Sequence, residues 1–222
     1  MNLRGLAISW ENVPGYFDFA DLYSEAVSRA PAEGAAFVEV GVMFGKSTLY
    51  MAEAIQASGK KIAFDAFDVF GWDASGLLRT YDEIMALPVP GAVDVPAGLR
   101  ASILAGRPHD NLVRDLVFHA GLEKYVQLVS AKGQERAATY ADASLDFVFI
   151  DAQHGYQDTV ELLRAFLPKL KPTGVIAGHD FTTSFPGVLQ AVQDALGSTA
   201  QRRGSSFWCS DPHRARVFGP FA

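Results

Sequence analysis

The chain has 222 residues, with 19 Lys and Arg against 25 Asp and Glu, a formal charge of −6 at pH 7, and 49% hydrophobic against 20% charged residues. That length and apolar content suit one domain with a real core and exclude disordered, collagen-like and coiled-coil chains. An acidic chain without a Lys/Arg block lacks the footprint that nucleic-acid backbones and anionic lipid surfaces select, so the expected partner is a small molecule. The lone Cys209 rules out an intramolecular disulfide or a cysteine zinc cluster. Met1–Tyr16 lacks the plan of a signal peptide, and no long uncharged apolar run reads as a membrane span, so a cytoplasmic protein is expected.

Short apolar runs alternate with helical patterns along the chain. Ala35–Val40 (AAFVEV) reads as a buried strand, followed by a glycine-bearing turn and a helix over Ser47–Ala57. Lys61–Asp65 is the second strand. Phe70–Pro108 breaks the rhythm with four prolines and five glycines and reads as an insertion of short helices and loops at about 70–108. Trp72, Leu77, Leu78, Tyr81, Ile84 and Met85 give that insertion apolar material for a lid. Val126–Ser130 is the third strand and Leu145–Asp151 the fourth. Gln157–Leu170 places Val160, Leu163, Phe166, Leu167 and Leu170 on one helical stripe, which Pro172 and Gly174 end before a fifth strand at Val175–Asp180. Ser206–Cys209 and Arg216–Phe218 flank a turn-like Ser210–His213, and so read as a hairpin at the sheet edge. Continuous apolar strands alternating with helices imply an α/β, Rossmann-like, doubly wound and mostly parallel sheet in a single domain over residues 1–222.

In such a sheet ligands lie beyond the carboxyl ends of the strands. The first of these ends, Glu39-Val40-Gly41-Val42-Met43-Phe44-Gly45-Lys46-Ser47, has two glycines that let the backbone turn sharply before a helix start. Met43 stands where a dinucleotide fingerprint needs close backbone approach, which argues against an NAD(P)-dependent oxidoreductase. Asp65 follows 20 residues after Gly45 and can hold a ribose, with Asp68 and Asp73 as rivals. Asp151 and Asp180 end adjacent strands with His154 and His179 beside them, a set able to bind a divalent cation. Tyr156 either lines the acceptor pocket or packs on its helix. Arg202, Arg203, Arg214 and Arg216 form a modest basic cluster near the C-terminus.

EVGVMFGKST, FDAFD and FIDAQHGYQDTVELLRAFLPKLKPTGVIAGHDF resemble the class I S-adenosylmethionine-dependent methyltransferases over roughly residues 34 to 196. The last stretch is most similar to the small-molecule O-methyltransferases of macrocin and novobiocin-type sugar methylation, methyltransferase family 24. The resemblance implies a seven-stranded sheet with a C-terminal antiparallel hairpin. It implies that Glu39, Gly41, Gly45 and Ser47 wrap the methionine part of the cofactor, Asp65 the ribose, and Ala131 and Lys132 the adenine. It also implies a Mg²⁺ or other divalent site at Asp151, His179 and Asp180, where the imidazole weakens a Mg²⁺ site and better suits a transition metal; the alternative is that no metal binds and His154 is the general base with Asp151 beside it. The remaining alternatives are the nicotinamide oxidoreductase and a cofactor-binding protein without catalysis. A homo-oligomer is compatible with all of them.

Overall fold

In the computed structural model, which describes residues 7–86 and 94–211, side chains on each central strand alternate between two buried faces, as a sheet covered on both sides requires. In chain order the elements are α1 (Ala20–Arg29), β1 (Glu33–Val40), α2 (Lys46–Ser58), β2 (Lys61–Asp68), α3 (Ala74–Met85), α4 (Asp94–Leu104), α5 (His109–His119), β3 (Gln127–Ser130), α6 (Gly133–Ala137), β4 (Leu145–Ile150), α7 (Tyr156–Phe166), β5 (Leu170–Gly178), α8 (Pro186–Leu196), β6 (Gln201–Arg203) and β7 (Ser206–Cys209). The seven strands form one sheet in the order β3-β2-β1-β4-β5-β7-β6. The first five strands of that order are parallel, and β7 runs antiparallel between β5 and β6.

Phe37, Phe64, Phe147, Phe149 and Val175 face one layer, where they pack with Leu22 and Tyr23 of α1, Leu49 and Met51 of α2, and Leu112 and Leu116 of α5. Val38, Val40, Val148, Ile150 and Ile176 face the other, against Leu163 and Phe166 of α7 and Val188 and Val192 of α8. Phe and Val fill both layers because their branched or planar side chains suit a pleated, half-buried surface. None of the helices among the described residues is long and apolar enough to cross a membrane.

Five expectations change in detail. The second strand runs three residues past Asp65, to Asp68. The helix expected over Gln157–Leu170 ends at Phe166, where a 3-10 turn at Leu167–Lys169 containing Pro168 hands over to β5. Strand β5 then carries Pro172 and Gly174 itself, beside a register shift against Leu145–Phe147. Proline lacks the N–H a regular ladder needs, and an irregularity accommodates it. The terminal hairpin exists, but Ser206–Cys209 pairs with Gln201–Arg203 across Gly204, whose φ is +60°; Arg216–Phe218 lies outside the described residues. In the insertion, Leu77, Tyr81 and Ile84 are buried in the main core with Leu99 and Ile103 of α4, so much of its apolar stripe is core.

Candidate active site

The sheet order reverses between β1 and β4, whose outgoing connections go to opposite sides, and a crevice forms at their carboxyl ends. The two ends touch: Asp151 N–H donates to the Val40 carbonyl at 2.8 Å. A Cβ on Gly41 would sit 1.7 Å from the Asp151 carbonyl oxygen, and Gly41 has φ +96°, so only glycine fits where the fourth strand passes. The loop stays left-handed at Met43 (φ +49°) and Gly45 (φ +85°) before α2 starts at Lys46. A left-handed Met is rare and needs the surroundings to hold it. Here the Asp68 carboxylate accepts the amides of Val42 (2.9 Å) and Met43 (3.2 Å).

Glu39 points from the last turn of β1 into the α1/α2 layer and is 1% exposed. Its carboxylate accepts three hydroxyls: Tyr23 at 2.8 Å, Ser47 at 2.5 Å and Thr48 at 2.5 Å. Burial pushes its pKa up to about 7, against the lowering pull of those donors. Burial and the neighbouring Glu39 likewise raise Tyr23 well above the usual phenol value. Among the described residues these hydroxyls are its hydrogen-bond partners, with no basic side chain among them.

Of the two acids on β2, Asp68 and not Asp65 stands at the strand end beside the loop. Asp65 lies inside the strand opposite Val38 and Gln127. Its Oδ2 accepts from Arg136 at 2.9 Å and Tyr140 at 2.5 Å, both from the α6 region, so it is committed within the protein. Asp73 is the N-cap of α3, accepting from Gly76 N–H at 2.8 Å. Ala131 follows the end of β3, its amide on the Asp68 carbonyl at 3.0 Å, and Lys132 is the exposed N-cap residue of α6. Both therefore stand at the same carboxyl end of the sheet as the glycine loop, two strands away.

At the ends of β4 and β5 the four predicted groups do converge. His154 Nε2 lies 2.8 Å from Asp180 Oδ2. Asp180 has φ +59°; burial alone would raise it, but hydrogen bonds from His154 and His179 hold it well below the usual carboxylate range. An ionised Asp180 only accepts, so His154 Nε2 carries a proton and Nδ1 is the free basic nitrogen. Asp180 also raises the His154 pKa above its ordinary value. Burial, and secondarily the charge of Asp180, push Asp151 up to about 6, against the pull of His179. His179 has an acid at each ring nitrogen, Asp180 Oδ1 at 3.3 Å from Nδ1 and Asp18 Oδ1 at 3.0 Å from Nε2. Burial opposes its charge, yet Asp180, Asp151 and Asp18 outweigh that and lift it to about 9.

The group of side chains close enough to share an ion differs by one member from the expected set. The atoms of Asp151, His154 and Asp180 lie within 4.8 Å of one another, so His154 takes the place given to His179. A separate cavity of about 130 Å³, lined by Arg29, Phe37, Asp146 and Thr173 among others, opens among the amino-terminal parts of the strands and shares no residue with this site.

Residues 38–181 match the model of a methyltransferase domain family. The chain belongs to this family. It is a class I S-adenosylmethionine-dependent methyltransferase, and the seven-stranded sheet with its antiparallel β7 agrees with that fold. No curated protein sequence matches it significantly. Among solved structures it is similar in fold to the O-methyltransferase NovP (TM-score 0.56, 14% identity, 86% of this chain and 78% of that one). It is similar too to CalS11, a TDP-rhamnose 3′-O-methyltransferase of calicheamicin biosynthesis (TM-score 0.51, 18% identity, 86% and 76%). A third likeness is to a SAM-dependent O-methyltransferase from Thermotoga maritima (TM-score 0.50, 15% identity, 85% and 52%), of which this chain spans about half the length.

Several residues of the methyltransferase site were not singled out from sequence. Lys46 Nζ donates to the carbonyls of Trp10 (3.0 Å) and Val13 (2.9 Å), tying the segment before α1 to the start of α2. Asp18 comes from that same segment, and the Ser205 hydroxyl of the β6–β7 turn donates to it at 2.7 Å. His109 was also missed, and its contact with the glycine loop appears only in three dimensions. Tyr156 bonds Asp194 at 3.0 Å and joins α7 to α8, the packing role of its two readings. Arg203 pairs with Glu25 and lies over the Trp208 ring, while Arg202 is exposed; Arg214 and Arg216 lie outside the described residues.

Proposed function

We propose that the methyltransferase moves a methyl group from S-adenosylmethionine to a hydroxyl of a small molecule, a sugar or secondary-metabolite type of acceptor, with His154 as the general base. The observation that carries this reading is the His154–Asp180 pair at 2.8 Å, set beside Asp151 at the carboxyl ends of adjacent strands. The donor set also suits the cofactor: a buried Glu39 held by hydroxyls, a loop with three left-handed residues, and the first amides of α2 beside it. When bound, the cofactor supplies a methyl group already activated on a sulfonium sulfur.

The chain's own residues then do the following. Glu39 receives the amino group of the methionine part, and the α2 amides receive its carboxylate. Asp68 fixes the loop, and Ala131 and Lys132 line the adenine end. His154 Nδ1 takes the acceptor proton while Asp180 holds Nε2–H and stabilises the imidazolium that forms. His179, held between acids, offsets their charge, so an acceptor hydroxyl approaches a site that is not purely anionic. The remainder is positioning of oxygen, carbon and sulfur in line. The fold likeness to CalS11, a TDP-rhamnose 3′-O-methyltransferase, favours a hydroxyl acceptor of the sugar kind, and an acidic chain of net charge −6 disfavours a nucleic-acid acceptor. The single, buried Cys209 fits work in the reducing cytoplasm.

A second reading rests on the convergence of Asp151, His154 and Asp180, which could hold a divalent cation through one imidazole and two carboxylates and thereby polarise the acceptor oxygen. Transfer of a labelled methyl group to a panel of hydroxylated sugars, nucleotide sugars and glycosides decides the matter. His154→Ala is expected to lower turnover at least ~100-fold with cofactor affinity nearly unchanged. Turnover that survives this substitution removes His154 as the base, and no transfer to any hydroxyl by the wild type removes the reading itself.

A further inference from the structure

We infer that His109 is a positioning residue of the cofactor loop, holding the left-handed Met43 in place through an Nε2–H donor supplied by the segment that follows the insertion. This rests on the reading above that the Gly41–Gly45 loop binds S-adenosylmethionine. His109 opens α5, just after Pro108, and is 3% exposed. Its Nε2 lies 2.8 Å from the Met43 carbonyl oxygen, which can only accept, so the ring is protonated there. Nδ1 is buried with no hydrogen-bond partner among the described residues, so the bond from Nε2 is the polar tie that orients the ring.

The contacts around this bond close a ring. Asp68 accepts Val42 and Met43 amides on one oxygen and the Phe70 amide, at 2.9 Å, on the other. The Phe70 ring meets His109 edge-on at 5.1 Å, and Phe44 of the loop meets it at 6.4 Å. Met43 is thus held from both sides of its residue, by Asp68 on its N–H and by His109 on its C=O. Both constraints act on one of the few non-glycine residues with positive φ among those described. Left-handed backbone at a side-chain-bearing residue persists only where neighbours over-determine it. The acceptor, Asp68, and the donor, His109, come from elements on either side of the insertion, so the placement of α5 is coupled to the shape of the cofactor loop.

The test compares His109→Leu, His109→Asn and His109→Gln in the full chain, with S-adenosylhomocysteine titrated calorimetrically and thermal unfolding followed in parallel. Gln can place an amide N–H near the Nε2 position, whereas Asn is too short and Leu has no donor. Leu and Asn are expected to weaken binding about 10-fold, the scale of one lost hydrogen bond plus the loosened loop, while Gln recovers most of it. The cofactor KM should follow affinity, with kcat at saturation little changed. In a Met43→Gly background, where glycine takes positive φ unaided, the loss from His109→Asn should shrink. Equal affinity in all three variants and wild type overturns the inference, as does a Gln variant no better than Asn, which would make the role one of packing. Absence of binding by the wild type would instead overturn the cofactor reading on which it rests.

Discussion

Replacing Glu39 by Gln should make the cofactor-free protein more stable at pH 8 and leave it nearly unchanged at pH 5. The folded-state pKa lies near 7 against an ordinary 4.5, with burial as the cause. Below the unfolded value the carboxyl is protonated in both states and costs nothing. As pH rises from there toward 7, the unfolded chain ionises and the folded one does not, so stability falls by up to about 1.4 kcal/mol per pH unit. The full displacement corresponds to about 3 kcal/mol, and Gln removes the titration altogether. Urea unfolding of both proteins across pH 5 to 8, at matched m-values, reads the difference directly. A gap in favour of Gln that opens with pH supports the reasoning. A gap of the same size at both ends, or a variant less stable at pH 8, refutes it. In the same variant, S-adenosylhomocysteine should bind at least ~10-fold more weakly, since the ammonium group loses its buried carboxylate.

Three further outcomes are expected. The acid limb of kcat/KM should report an apparent pKa above 6.5, because Asp180 favours the protonated His154 and the base works only once that proton is lost; a limb at or below 6.5 contradicts the pairing. Treatment with EDTA should leave turnover within about 2-fold if His154 is the base, whereas loss restored by Mg²⁺ or Mn²⁺ and abolished by Asp151→Asn assigns the site to a metal. Asp68→Ala should weaken cofactor binding about 10-fold or more, because two loop amides lose their acceptor. Asp65→Ala should instead lower stability by about 1 kcal/mol with little effect on affinity, and the reverse pattern contradicts the assignment of the two acids.

Much of this was legible before any coordinates. Strand β4 (Leu145–Ile150) is buried on both faces from Phe147 onward, and the apolar run Phe147–Ile150 announces that. The convergence of Asp151 and Asp180 followed from strand ends alone. The Asp65/Asp68 ambiguity did not resolve, because FDAFDVF carries acids on both faces of one strand and nothing local marks where the ladder stops; Gly41 N–H bonding the Phe67 carbonyl sets that limit. The choice between His154 and His179 as metal-facing residue was equally hidden. It depends on Asp18 and Ser205, 161 and 26 residues away from His179, reaching its Nε2. The hairpin partner was misplaced for a simpler reason: QRR is charged and reads as loop, yet the β7 edge pairs with it through backbone groups that take no account of side-chain polarity.

The most direct measurement is calorimetric titration of the wild-type chain with S-adenosylhomocysteine, alongside Asp68→Ala. One site per chain with micromolar affinity, weakened in the variant, is the result predicted for a cofactor seated at the β1–β4 crevice. No heat at sub-millimolar ligand, or affinity untouched by Asp68→Ala, would contradict it.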